Sequence, residues 1–410
     1  MRRAPLSGIL GRIDFLLLFS VLALVTAGLL SIYSATHGAD MSVKFQKQVF
    51  WAVLGVLLVV LVGVAPQRFY HYSAYLVYAL SIVPLVLVLF LGKSVSGNAG
   101  WFGIGTFGIQ PSEFAKIATV LALARFLSDT TTKLDSFRDV GIAFGIVFVP
   151  WFLIFLQPDF GTGLVYWAVF LLMLFWAGID LVIVLTFISP VIVAVLSILN
   201  LWVFLVVAVL VSILFYLIKK NLGVALLFVT LNLAVGFSVQ YFYGHLPEYQ
   251  KARIAVFLDP ARAPKTAGYN VMQSKVAVGS GGMTGKGFLQ GSQTQLRFVP
   301  EQWTDFIFCV PAEEFGFIGA FSILLLFGTL FYRGLRIARL ASFHFSSVLA
   351  LGLTSTLFIH TFVNIGMSLG LLPVVGIPLP FMSYGGSFFL TSMLAAGLLL
   401  HSHMNLQRGE

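Results

Sequence analysis

Apolar runs of roughly 20 residues recur along almost the whole chain, and they decide the solvent before any motif is read. In lipid every backbone N–H and C=O must be satisfied within its own segment, so a run of that length crosses as a helix. Runs near residues 13–33, 48–65, 73–92, 112–128, 141–156 and 161–177 give six spans. From Leu181 to Tyr243 the sequence is nearly continuously apolar, broken at Asn200 and at Lys219, Lys220 and Asn221, which divides it into three more. Spans near 312–333, 347–369 and 380–401 bring the count to about twelve, with ten as its lower bound. The expected fold is all-α: a polytopic integral membrane protein, one domain over 1–410, with a single long loop at 244–311. Charged residues make up only 10% of the chain, against about 25% in soluble domains.

Basic residues set the orientation. Arg2, Arg3, Arg12, Arg68, Lys133, Arg138, Lys219, Lys220, Arg333, Arg336, Arg339 and Arg408 fall on one side, with Lys44, Lys47 and Lys93 in the short loops of the other. The positive-inside rule makes the first side, with both termini, cytoplasmic and puts loop 244–311 outside. The net charge of +9 then reflects topology and gives no support to nucleic-acid binding. The N-terminal run reads as the first helix, since no small-residue cleavage site follows it. Cys309 is the one cysteine, which excludes an intramolecular disulfide and a cysteine metal cluster.

Against that background, Val299–Phe317, VPEQWTDFIFCVPAEEFGF, is out of keeping: Glu301, Asp305, Glu313 and Glu314 crowd into it, out of 15 acidic residues in all. If the stretch is helical from Pro300, Glu301 and Asp305 share a face and each raises the other's pKa. Glu313 and Glu314 read as helix-start residues favoured by the dipole. In IQPSEFAKI, Glu113 and Lys116 sit three apart on one face, where they form either a functional pair or one that merely pins two helices. Asp159, in QPDFGTG, is a helix cap or a charge partner for Lys116, with capping expected. His360 and Asn364, one turn apart, are expected to hydrogen-bond between helices. GSGGMTGKG (279–287) looks like a phosphate loop but has Ser280 where the pattern needs glycine and Gly287 where it needs Ser or Thr. Its glycines still permit close approach of a backbone or a diphosphate.

Taken in order, IQPSEFAKI, QPDFGTG, FLDPARAPKTAGYNVMQSKVAVGSGGMTGKGF, FVPEQWTDFIFCVPAEEFGFIG and NIGMSLGLLPVVGIPLPFMSYGGS resemble the SEDS family of cell-wall polymerases. GLLPVVGIPLPF, with Pro378 and no basic residue after Pro373, resembles its elongation branch. The resemblance implies ten spans, so an extra helix pair is expected within 181–243. It implies a peptidoglycan glycosyltransferase in the bacterial cytoplasmic membrane, polymerising lipid II on the outer face. It also implies Asp305 as the essential acid, Glu113 and Lys116 in an outward cavity, and a single-span class B penicillin-binding protein as partner. That partner would make the cross-links, because no SxxK nucleophile pattern stands in this chain. Gly366, Leu369 and Gly370 offer small or apolar positions where its membrane helix would sit.

The chemistry can be argued without the name. Inverting transfer of a diphosphate-activated sugar to a 4-hydroxyl needs one base in line with that hydroxyl. Diphosphate is already a good leaving group, so a second carboxyl acid is not required. It does need positive charge, from basic side chains or a divalent ion, and Lys116, Lys275, Lys286, Arg253 and Arg297 are available on the outer side. A lipid-linked precursor flippase or a non-catalytic scaffold of the cell-wall complex is the alternative.

Overall fold

The computed structural model describes residues 12–37, 42–95, 98–104, 107–132, 134, 136–245 and 267–406. Helices begin where the apolar runs do: α1 (Phe15–Thr36), α2 (Ser42–Val64) and α3 (Gln67–Leu91) precede a small sheet. After it come α4 (Pro111–Leu127), α5 (Phe137–Phe155), α6 (Phe160–Trp176), α7 (Leu181–Leu199), α8 (Leu201–Lys219) and α9 (Leu222–His245). Between α9 and the last three long helices lie α10 (Ala267–Ser280) and two short helices, α11 (Ser292–Gln295) and α12 (Cys309–Glu314). The chain closes with α13 (Gly316–Leu340), α14 (His344–Ser368) and α15 (Gly386–Met404). Nine helices among the described residues are long and apolar enough to cross a membrane.

The divisions in 181–243 have local causes. Asn200 caps α8, its side chain accepting from the N–H groups of Trp202 (2.9 Å) and Val203 (3.2 Å), and Lys220 ends that helix in a left-handed conformation at φ +49°. Helices α7, α8 and α9 pack on one another and enclose their own small clusters, one around Phe215 and Phe228 and one around Val193, Phe204 and Ala208. The inner helices of the main bundle are α14, 83% buried over its most apolar stretch, and α15, 78% buried; α3, at 17%, faces outward. Helix α4 is also largely buried, and α15 lies against α2.

There are two departures from the all-helical reading. Three short strands, β1 (Lys93–Val95), β2 (Asn98–Ile104) and β3 (Phe107–Ile109), form an antiparallel sheet, with Phe102 opposite Ile109 and Ile104 opposite Phe107. Residues 300–308 are turns instead of the helix that the spacing of Glu301 and Asp305 suggests. The reason is local: Glu301 sits at φ +52°, a left-handed conformation that a continuing α-helix does not contain.

The two ends of the bundle differ in chemistry. At one end Asp14 caps α1 and pairs with Arg333 of α13 at 2.6 Å, while His403 near the end of α15 bonds the Arg12 carbonyl at 3.0 Å. The start of α15 lies at the other end, beside the acidic stretch: the Tyr384 N–H donates to the Trp303 carbonyl at 2.8 Å.

Candidate active site

The turn 300–308 is built around Asp305. Its carboxyl is pushed up from 3.8 to about 6 by burial first and then by the charge of Glu301. Of the mutual effect foreseen, the action of Glu301 on Asp305 is present, and turns rather than a helix produce it. Gly376, at φ +70°, faces the carboxylate: a Cβ there would stand 3.6 Å from Oδ2.

Positive charge reaches this turn from α2. The Lys44 ammonium lies 3.5 Å from the centroid of the Trp303 ring, a cation–π contact, and Glu301 and Arg297 both act on it electrostatically. Arg297 is exposed and stands at φ +58°. Four residues along α2 from Lys44, Gln48 holds the Ser383 carbonyl (3.4 Å) and the Gly385 N–H (3.2 Å). Lys44 and Gln48 were not singled out from the sequence. Their signal was there: two polar residues four apart, on one helix face, at the head of an apolar run.

A second polar cluster is buried among α4, α14 and α15. Lys116 Nζ donates to Glu113 at 3.1 and 3.2 Å and meets His360 Nε2 at 2.8 Å, and Thr391 reaches Glu113 at 3.5 Å. Glu113, Lys116 and His360 are at most 4% exposed, so they lie buried within the bundle. Small cavities flank Lys116, one lined by Tyr166 and Phe170 and the other by His360 and Phe388. Helix α14 joins the two clusters. Asn364, one turn beyond His360, donates to the Asp305 carbonyl at 2.9 Å and the Ile377 carbonyl at 2.8 Å.

The remaining candidates separate. Asp159 is a cap: it accepts from Thr162 N–H at 3.0 Å and Thr162 Oγ1 at 2.9 Å, and Gln110 donates to it at 2.9 Å. Lys116 pairs with Glu113 and His360 instead. Lys286 is committed to Glu313 at 2.7 Å. Lys275 is exposed and lies over Gly370, and Leu372 packs against Gly366, while Leu369 stays half-buried. Arg253 lies outside the described residues.

Glu313 and Glu314 do not act as first-turn residues of their own helix. Glu313 accepts from the Gln293 and Thr294 N–H groups at 2.9 Å each, from Thr294 Oγ1 at 2.8 Å and from Lys286. Burial pushes its carboxyl up, but these donors outweigh it and hold the group below its usual range. Glu314 accepts from Ser34 and from the Leu289 N–H. Both acids fasten the segment 286–295 to the bundle.

The glycine-rich stretch is used in the same way. The Lys286 and Gly287 N–H groups donate to the Glu313 (3.1 Å) and Glu314 (2.9 Å) carbonyls, and a Cβ on Gly285 would stand 2.1 Å from the Glu314 carbonyl oxygen. Of the two approaches the glycines allow, the structure uses that of a backbone.

Among the described residues no three of His, Cys, Asp and Glu come together as a metal-ligand group. Asp305 and Glu301 are two carboxylates on one turn.

These features define a class: a polytopic helical membrane protein with an elevated-pKa acid on a turn at one end of its bundle, cations beside it and a buried ion pair nearby. The sequence profile of the FtsW/RodA/SpoVE family, described as Cell cycle protein, matches residues 12–208 and 202–408. The chain is 36% identical over 421 residues to the peptidoglycan glycosyltransferase RodA of Treponema pallidum (strain Nichols), covering 94% of this chain and 96% of that protein. Over 391 residues it is 36% identical to the peptidoglycan glycosyltransferase MrdB of Escherichia coli (strain K12), covering 95% and 93%. A chain of a peptidoglycan synthase complex that coordinates polymerization and crosslinking superposes with TM-score 0.75 at 28% identity, over 97% of this chain and 99% of that one. The rod shape-determining protein RodA of Thermus thermophilus shares the fold, with TM-score 0.64 at 24% identity over 96% and 98%. The protein belongs to the FtsW/RodA/SpoVE family, the SEDS family its motifs resemble, and is RodA-like within it.

Proposed function

We infer that this protein is a peptidoglycan glycosyltransferase that polymerises lipid II into glycan strands during cell elongation, with Asp305 as general base. The observation that carries the site assignment is the state of that carboxyl: raised to about 6, it is a far stronger base than an ordinary aspartate yet remains ionised near neutral pH. In the reaction Asp305 takes the proton of the acceptor sugar's 4-hydroxyl as that oxygen bonds to the donor's anomeric carbon. The bond from that carbon to the undecaprenyl diphosphate breaks on the opposite side, which inverts the centre. Lys44 and Arg297 would supply positive charge to the departing diphosphate, and a divalent ion bound at that diphosphate would add to it.

Activity on lipid II delivered to the outer face requires Asp305 outside and both termini inside the cytoplasmic membrane. The arginines around Asp14 at the opposite end of the bundle support that orientation. Glycan strands have to be cross-linked, and with no SxxK nucleophile pattern in the chain a class B penicillin-binding protein is the fitting partner. Purified protein given lipid II, alone and with such a partner, tests the reading. Glycan chains are expected; their absence with Asp305 intact and a partner present would return the protein to the flippase or scaffold readings.

A further inference from the structure

We propose that Asn364 and Ser383 are positioning residues: they clamp the backbone of the turn that carries Asp305 and so set where its carboxylate stands. The proposal rests on Asp305 being the base. Residues 300–308 are turns, so their carbonyls lack the regular partners a helix would supply. Three consecutive ones, of Trp303, Thr304 and Asp305, are captured by the segment running from the end of α14 to the start of α15. The donors are the Tyr384 N–H at 2.8 Å, Ser383 Oγ at 2.7 Å and Asn364 Nδ2 at 2.9 Å.

Each donor is itself fixed. Ser383 is 1% exposed, and its hydroxyl oxygen accepts from the Leu379 N–H at 2.7 Å, which directs its one hydrogen to Thr304. Asn364 is fully buried and divides its amide between Asp305 and Ile377, tying the turn to the loop wall that bears Gly376. Phe381, between Leu379 and Ser383, is held at φ +64°, a conformation that persists only where surrounding contacts over-determine it. The Asp305 carboxylate has no hydrogen-bond or ion-pair partner among the described residues; Glu301 reaches it only through its charge. Its aim therefore comes from its backbone, and the backbone from this clamp. A base displaced by about 1 Å loses on the order of a hundredfold in rate, so loosening the clamp should act on turnover.

The test is lipid II polymerisation by the full-length protein in liposomes, comparing Ser383→Ala, Asn364→Ala and Asn364→Asp with wild type and Asp305→Asn. Ser383→Ala should lower kcat by about tenfold or more while KM moves by less than about twofold, since the lost contact serves the transition state. Asn364→Ala, which frees two carbonyls, should lower kcat further. Asn364→Asp keeps the shape but replaces the two-hydrogen donor by an acceptor-only carboxylate facing the Asp305 and Ile377 carbonyls, so its kcat should fall at least as far as that of Asn364→Ala. If Asn364→Ala does not fold, Ser383→Ala decides. Unchanged kcat in Ser383→Ala, or a loss confined to KM, with Asp305→Asn inactive, overturns the clamp while leaving the base in place. Full turnover in Asp305→Asn instead removes the base assignment, and the clamp with it.

Discussion

Replacing Asp305 by Asn should make the protein more stable and nearly inactive at the same time. The folded carboxyl titrates at about 6 against 3.8 when solvated, because burial and then Glu301 disfavour its charge. Holding the charge in the folded state at neutral pH therefore costs about 3 kcal/mol. The folded state binds this proton more tightly than the unfolded state does, so stability falls as pH rises from about 4 through about 6, with the full cost present above about pH 7. Asparagine has a similar shape and no charge to bury. Asp305→Asn should thus melt several degrees higher than wild type at pH 7.5, roughly half as much higher at pH 5, and close to wild type at pH 4. Turnover should fall by about a hundredfold or more, because the proton acceptor is gone. Thermal unfolding in detergent across that pH range, beside lipid II polymerisation by the same preparations, measures both. A pH-independent difference in melting would show that the carboxylate is not destabilised by its site, and near wild-type turnover would pass the base to another acid.

Three further outcomes follow from the same geometry. Glu301→Gln should leave kcat at its plateau and move the acidic limb of the pH-rate profile to lower pH, by less than a full return to 3.8, because burial is the first cause of the raised value. Lys116→Met leaves Glu113 buried without its ammonium partner and should cost about 3–5 kcal/mol, read as lost folded yield, with partial recovery on adding Glu113→Gln. In a Cys309→Ala background, Lys220→Cys should react with a membrane-impermeant thiol reagent only after the inner face is exposed; labelling from outside intact cells would invert α8 and α9.

What the sequence made legible is whatever local chemistry decides. Helix positions follow from apolar length, and the breaks at Asn200 and Lys220 are a cap and a left-handed C-terminus. The Asp159 cap and the Glu113–Lys116 pair were readable because their partners lie three residues away. The other partner of Lys116, His360, is 244 residues distant, and no periodicity reports such a contact. The sheet at 93–109 escaped notice because two of its strands have three residues each and the segment is too rich in glycine for a two-residue alternation to show. Glu313 and Glu314 were misread for a related cause: a carboxylate at a helix boundary serves its own dipole or someone else's N–H groups, and only the fold says which.

The glycine run and the acidic stretch show where local rules stop working. A phosphate cradle and a tight backbone crossing both need residues without a Cβ, so composition does not separate them; what separates them is whether the amides are free, and those of Lys286 and Gly287 are spent on Glu313 and Glu314. Six non-glycine residues have positive φ among those described, and four of them, Leu289, Arg297, Glu301 and Phe381, lie in the segments that surround or clamp Asp305. Long helices in lipid leave the backbone no such freedom, since every N–H and C=O must find its partner inside the segment. Irregular backbone gathers at the end of the bundle where Asp305 stands, where water or a buried side chain can satisfy it. There the turn that carries Asp305 is held by donors brought from α14 and the loop after it, and the conformations that defeat helix periodicity are the ones that shape that turn.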